Sequence, residues 1–345
     1  MKKILIFLLA LSFLGSCGSE ERIINPQEEG LKVMLSTKEA PEVKIVTLPE
    51  LTIINENILA GKISTTLNNP ITFIKEFGDN LYLSAQKDYK LIVLDKNTFN
   101  QVALIDFSAD NAEVGDFVFP NSTDCYLVHP NKDYVSIIDI TVFKAVRTAK
   151  VGNNPTSISA NGNQLIVTNS TDNSISIIDT RTRDEVAKLA TSPQPNYSII
   201  TKDGIYAGVI SLGLGKVDAA ETKSPAMLTF YDVQNRKEAE IVEIGEGLIS
   251  ALDIQPVGAV LTNSEWLYIA SKTALFRADA RSRSNMKYII RKSFTGIIND
   301  ESSSRLILTA ESEDKNEIFL ASNKTGTIQH SIKTPFKVQS IIVWR

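Results

Sequence analysis

The feature that most restricts the fold of this chain is a unit of four short apolar runs that recurs along most of its length. It is clearest at Leu165-Ile-Val-Thr-Asn169, a polar turn Ser170-Thr-Asp-Asn173, Ser174-Ile-Ser-Ile-Ile-Asp179 and Glu185-Val-Ala-Lys-Leu189. The preceding unit aligns with it: Cys125-Tyr-Leu-Val-His129, Tyr134-Val-Ser-Ile-Ile-Asp139, Lys144-Ala-Val-Arg147 and Val151-Gly-Asn-Asn-Pro155. Weaker copies stand at Leu81 to Ile105, Ile205 to Asp232 and Trp266 to Asp279. The strand-ending aspartates Asp95, Asp139, Asp179, Asp232 and Asp279 are spaced by 44, 40, 53 and 47 residues. Short strands at this period, punctuated by turn residues, are the signature of β-propeller blades. Degenerate units at Val43 to Ile54 and ending near Ala321 bring the count to seven. The expectation is an all-β propeller of seven four-stranded blades. A β-helix fits less well, because its period is shorter and its strands do not pair as antiparallel hairpins. The last segment, Val338 to Val343, reads as an innermost strand whose outer partners lie at Val43 to Leu59, so the two ends of the chain close the ring and protect its open edge.

The start of the chain has a different character. Two lysines precede an apolar run from Ile4 to Leu14, 11 residues, which is short of the roughly 20 needed to span a bilayer and reads as a signal-peptide core. Leu14-Gly15-Ser16-Cys17 follows, and it resembles the lipobox of bacterial lipoproteins. That resemblance implies cleavage before Cys17, acylation of this cysteine and a nearly permanent membrane anchor. Gly18 lacks the aspartate that would favour inner-membrane retention. Ser19-Glu20-Glu21 resembles the surface-export signal of Bacteroidetes lipoproteins. The organisation expected is a signal peptide over 1–16, lipidated Cys17 and a tether over 17–41, and the propeller over 42–345. An apolar patch from Leu31 to Leu35 could instead dock on the domain. The address implied is the outer membrane, surface-exposed, with its periplasmic face as the alternative.

Composition excludes several functions. A net charge of −4 without a basic stripe argues against nucleic-acid binding. With Cys17 lipidated, Cys125 has no disulfide partner and reads as a small core residue. The chain holds two histidines, His129 and His330, too few for a histidine zinc site, and it has no Asp-x-Asp-x-Asp-Gly loop, nucleophile elbow or P-loop. No metal, cofactor or catalytic residue is therefore assigned. His129 takes the place of Asn169 in its unit and reads as a strand-end residue. The repeat aspartates read as turn formers.

The stretch from Gln164 to Gly204, containing LIVTNSTDNSISIIDTRTRDEVAKLATSPQPNYSIITKDG, resembles the YVTN β-propeller repeat of YncE-like proteins. The likeness is close from about Cys125 to Gly204 and degenerate elsewhere. It implies the fold but no particular activity. In propellers, the loops joining second to third strands and those joining blades share one face. Two long stretches fall there: Ser211 to Pro225 and Phe107 to Asp116. The candidate binding residues are accordingly Asp110, Glu113, Asp116, Lys216, Asp218, Glu221 and Lys223, with Tyr89, Tyr134, Asn153 and Asn154 from neighbouring blades. The leading functional expectation is a lipid-anchored, noncatalytic binding module. It resembles surface lipoproteins that sit on a TonB-dependent transporter and collect a corrinoid. The alternatives are a propeller hydrolase or lyase acting on an extracellular polymer, its carboxylates drawn from different blades, and a structural subunit of an envelope complex.

Overall fold

A computed structural model describes residues 30–214, 224–245, 253–313 and 315–345. Seven four-stranded antiparallel sheets follow one another along the chain. Blade 1 covers 73–106, blade 2 117–150, blade 3 155–190, blade 4 195–243, blade 5 256–290 and blade 6 296–334. Blade 7 is shared between the ends. Its first strand, Val338–Val343, pairs with Leu31–Thr37, which pairs in turn with Val43–Leu48 and then Thr52–Asn55. The expected closure thus holds, with Val33 opposite Val343 and Leu35 opposite Ile341. The ordered blade begins at Leu31, inside the segment assigned to the tether, and Leu59 lies beyond the last strand, packed against blade 1.

The strand sequences follow from where the sheets bury their faces. Successive side chains of a strand point to opposite faces, and each face of a blade meets a neighbour. In blade 3, Leu165 and Val167 enter the core shared with blade 2, while Ile166 enters the core shared with blade 4. A middle strand buried on both sides must therefore be apolar at every position. The described core divides into seven clusters, one for each interface between blades. Outer strands such as Lys144–Lys150 and Lys237–Glu243 are exposed along most of their length. They carry lysine, arginine and glutamate, which discourage edge pairing with another chain.

The repeat aspartates cap turns as expected. Asp95 Oδ1 accepts hydrogen bonds from the backbone N–H of Asn97 and of Thr98 at 3.0 and 2.8 Å, and Asp139, Asp179, Asp232 and Asp279 repeat the pattern. The residue four places after each aspartate is left-handed: Phe99, Phe143, Arg183, Arg236 and Arg283 all have φ between 53° and 63°. This costs some backbone strain but turns the side chain back onto the previous blade. Arg183 meets buried Asp124 at 3.0 Å, Arg236 donates to the Val186 carbonyl at 3.2 Å, and Arg283 lies 4.3 Å from the Tyr206 ring centre. The turn that reverses each outer hairpin is thereby also an inter-blade clasp.

Candidate functional site

The first strands of the blades surround the central axis: Phe73–Phe77, Phe117–Val118, Pro155–Asn161, Pro195–Ile200, Pro256–Leu261, Gly296–Asp300 and Val338–Val343. Three of them open on proline, tolerated at the first residue of a strand because no ladder donor is needed there. The Gly-x-x-Pro turn before blade 3 is tight: a Cβ added at Gly152 would lie 2.7 Å from Asn169 Cγ. These strands enclose a central channel in two connected parts of about 380 Å³ each. The part bordered by Gln86, Gly115, Pro130, Thr156, Asn196 and Gln339 lies on the side where the between-blade loops enter.

One arc of the channel wall is a hydrogen-bonded belt across four blades. Lys75 of blade 1 places Nζ 2.6 Å from Asp116 Oδ1, also donates to the Phe117 carbonyl, and lies 5.1 Å from the Phe117 ring centre. Asp116 Oδ1 additionally accepts from Phe117 N at 2.8 Å, and Oδ2 accepts from Ile158 N at 3.2 Å and Ser157 Oγ at 3.3 Å. Ser157 Oγ accepts in turn from Ser198 N at 3.4 Å. A carboxylate accepts at about four positions, so Asp116 is saturated and its charge is compensated by Lys75. The opposite arc carries no charged side chain among its described residues: Val257, Gly258, Ala259, Ile297 and Ile341 alternate with Gln339, Ser340 and the hydroxyls of Thr295 and Thr309, which bond each other at 3.0 Å. Rings stand in the walls at Phe73 and Tyr197, and burial pushes the Tyr197 phenol above its usual range. The side chains of Thr72, Gln339 and Ser340 meet no hydrogen-bond partner among the described residues.

The described candidate residues read from the sequence divide into three groups. Tyr89, Asp110, Glu113 and Tyr134 gather around the between-blade loop 107–116, which His129 holds down. This buried imidazole donates from Nδ1 to the Glu113 carbonyl and accepts at Nε2 from Ser136 Oγ, each at 2.8 Å. It sits between the rings of Phe107 and Tyr134 at 4.9 and 5.0 Å. Burial lowers its pKa to about 4, so it is neutral at pH 7. Tyr89 ends a 3₁₀ turn in the left-handed region, φ 59°, and its carbonyl accepts from Phe107 N. Burial opposes ionisation of Glu113, but hydrogen bonds from Lys87 and Gln86 outweigh it and hold the carboxyl below its usual range. Burial, with Asp110 and Asp133 nearby, raises the Tyr134 phenol. Asn153 and Asn154 border a separate open hollow of about 400 Å³. Asn153 there donates twice to Asp172, at 2.9 and 3.0 Å, while Asn154 is left-handed at φ 55°.

Among the described candidates, Asp116 alone lines the channel. Lys216, Asp218, Glu221 and Lys223 lie outside the described residues, as does Cys17. The insertion that carries those four does fall between second and third strands, from Ser211 to Met227. Sequence reading missed Lys75, Ser157, Asn196, Tyr197 and Gln339. The usable signal was the repeat proline, because the residues just after Pro155, Pro195 and Pro256 enter the channel wall. His330 is exposed on the outer strand of blade 6, far around the ring from His129 in blade 2. Cys125 is fully buried, and burial pushes its thiol pKa well up.

The profile of a family described as domain of unknown function (DUF5074) matches residues 55–290. No curated protein matches the chain. Among solved structures, a protein from Lactobacillus plantarum is similar at TM-score 0.70 and 12% identity, covering 92% of this chain and 100% of that one. A functionally unknown protein from Desulfotomaculum acetoxidans is similar at TM-score 0.66 and 11% identity, over 91% and 98%. A chain of Kuenenia stuttgartiensis hydrazine synthase is similar at TM-score 0.63 and 14% identity, over 81% and 90%. At these identities the likeness is one of fold.

Proposed function

We propose that this chain, which belongs to the DUF5074 family, is a noncatalytic binding module that takes a small ligand at the mouth of its central channel. The observation that carries this reading is the channel itself. It opens among the between-blade loops, has the size of a small-ligand site, and offers uncommitted side chains at Thr72, Gln339 and Ser340. The charged groups in its wall are engaged with one another, which suits binding better than proton transfer.

The module is anchored by lipid on Cys17 to the outer membrane, facing the cell surface. The signal-peptide-like start, the lipobox resemblance and the acidic Ser19-Glu20-Glu21 support this. Its partner in this reading is an envelope protein such as a TonB-dependent transporter, and a corrinoid is one ligand to test. The test is a thermal-shift screen of the full chain in detergent against corrinoids, haem, siderophores, glycans and divalent cations. A ligand at 100 times its Kd stabilises the fold by about 2.7 kcal/mol. A shift with one ligand class supports the module, and silence across the screen turns the search to a protein partner.

A further inference from the structure

The two arcs of the channel wall differ in what they offer a ligand, and this restricts its chemistry. On the belt side the one cation and the one anion are spent on each other: Lys75 binds Asp116 and the Phe117 carbonyl, and Asp116 accepts four hydrogen bonds. A carboxylate or phosphate entering here would find no unpaired cation and would face Asp116. The free groups are of another kind. The Gln339 amide and the Thr72 and Ser340 hydroxyls can each both donate and accept. Groups of that type match a ligand whose own polar groups do both, namely hydroxyls. Phe73 and Tyr197, from blades 1 and 4 and so from nearly opposite walls, pack partly buried against the inter-blade cores and leave apolar edges of their rings at the channel. A pyranose has this mixed character, with C–H bonds on its faces and hydroxyls around its edge.

Building on the reading of the channel as the binding site, we infer that its mouth takes an uncharged sugar, the terminal residue of a neutral glycan. The ring enters between Phe73 and Tyr197. Its hydroxyls meet Gln339 and Thr72 at the mouth and Ser340 in the adjoining part of the channel, and its apolar face meets Val257.

The test is saturation-transfer NMR with titration calorimetry on the full chain in detergent, using maltotriose, chitotriose and mannotriose, with trigalacturonate as the charged counterpart. The expected result is binding of at least one neutral trisaccharide and none of trigalacturonate. Gln339→Ala removes an exposed side chain without a protein partner, so it leaves the fold intact and weakens binding about threefold to tenfold. Tyr197→Phe keeps the ring and loses less affinity than Tyr197→Ala. Failure of all three neutral sugars overturns the inference, as does equal binding of trigalacturonate or sugar binding indifferent to both Gln339→Ala and Tyr197→Ala. A plug variant, Ser340→Trp, separates this failure from that of the channel reading. If a non-sugar ligand is lost in Ser340→Trp, the channel stands and the sugar falls; if every ligand ignores the plug, the channel reading falls too.

Discussion

Lowering the pH from 7 to 5 is expected to destabilise this fold chiefly through one residue, His129. Its imidazole is wholly buried, with both ring nitrogens engaged, and its pKa falls from the ordinary 6.5 to about 4. A histidine depressed in the folded state stabilises fully above its unfolded pKa. That contribution is lost as the pH falls toward the folded pKa, because the unfolded chain takes up the proton first. Linkage between 6.5 and 4 gives a loss of about 2 kcal/mol on going from pH 7 to pH 5. Depressed aspartates such as Asp95, Asp139, Asp172, Asp232 and Asp179, the last at about 2, lose their contribution as the pH falls below about 4, and the depressed glutamates Glu113, Glu311 and Glu317 lose theirs as it falls through about 4.5, both below this interval. Urea unfolding followed by tryptophan fluorescence at pH 7, 6 and 5 reads the effect, and His129→Asn, which installs the residue found at the matching position Asn169, supplies the control. The variant should be less stable at pH 7 and nearly flat from 7 to 5. If wild type and variant lose stability in parallel over that interval, the assignment of this slope to His129 is wrong.

Three further outcomes follow from the same structure. Asp116→Ala removes an ion pair and the acceptor for groups on three blades, so it should cost about 3 kcal/mol, or about 5 °C in melting temperature for a domain of this size; a calorimetric change below about 0.5 kcal/mol would contradict the belt. With Cys17 replaced, Cys125 should resist iodoacetamide in the native protein and react in urea, because its thiol is buried and its thiolate disfavoured; rapid native labelling would mean that the interface between blades 1 and 2 opens readily. Cys17→Ser should abolish metabolic incorporation of palmitate and release the protein from membranes, whereas unchanged incorporation would place the lipid elsewhere.

How much of this could be read from the sequence depended on what each residue packs against. Middle strands such as Gln164–Asn169 are buried on both faces, so Leu165 to Val167 form an apolar run that announces a blade. Leu31–Thr37 is buried in the same way, but it lies in a polar flank without an aspartate turn, and its partner Val338–Val343 is at the far end of the chain. Of the candidate residues that are described, the partners that hold Glu113, Asp116 and Asn153 were not readable from the sequence. Lys75 and Asp116, at a separation of 41 residues, meet only because one blade separates them. The channel wall was least legible. Its residues answer to an open space rather than to a packed neighbour, so Thr156, Asn196, Val257 and Thr295 share no hydrophobic pattern. Phe117–Val118, a strand of two residues, is too short to show one.

Binding in the channel is tested by repeating the thermal-shift screen on Ser340→Trp beside the wild type, once circular dichroism shows the variant folded. If the channel is the site, the ligand that raises the wild-type melting temperature leaves that of Ser340→Trp unmoved. An equal rise in both would place the ligand away from the channel.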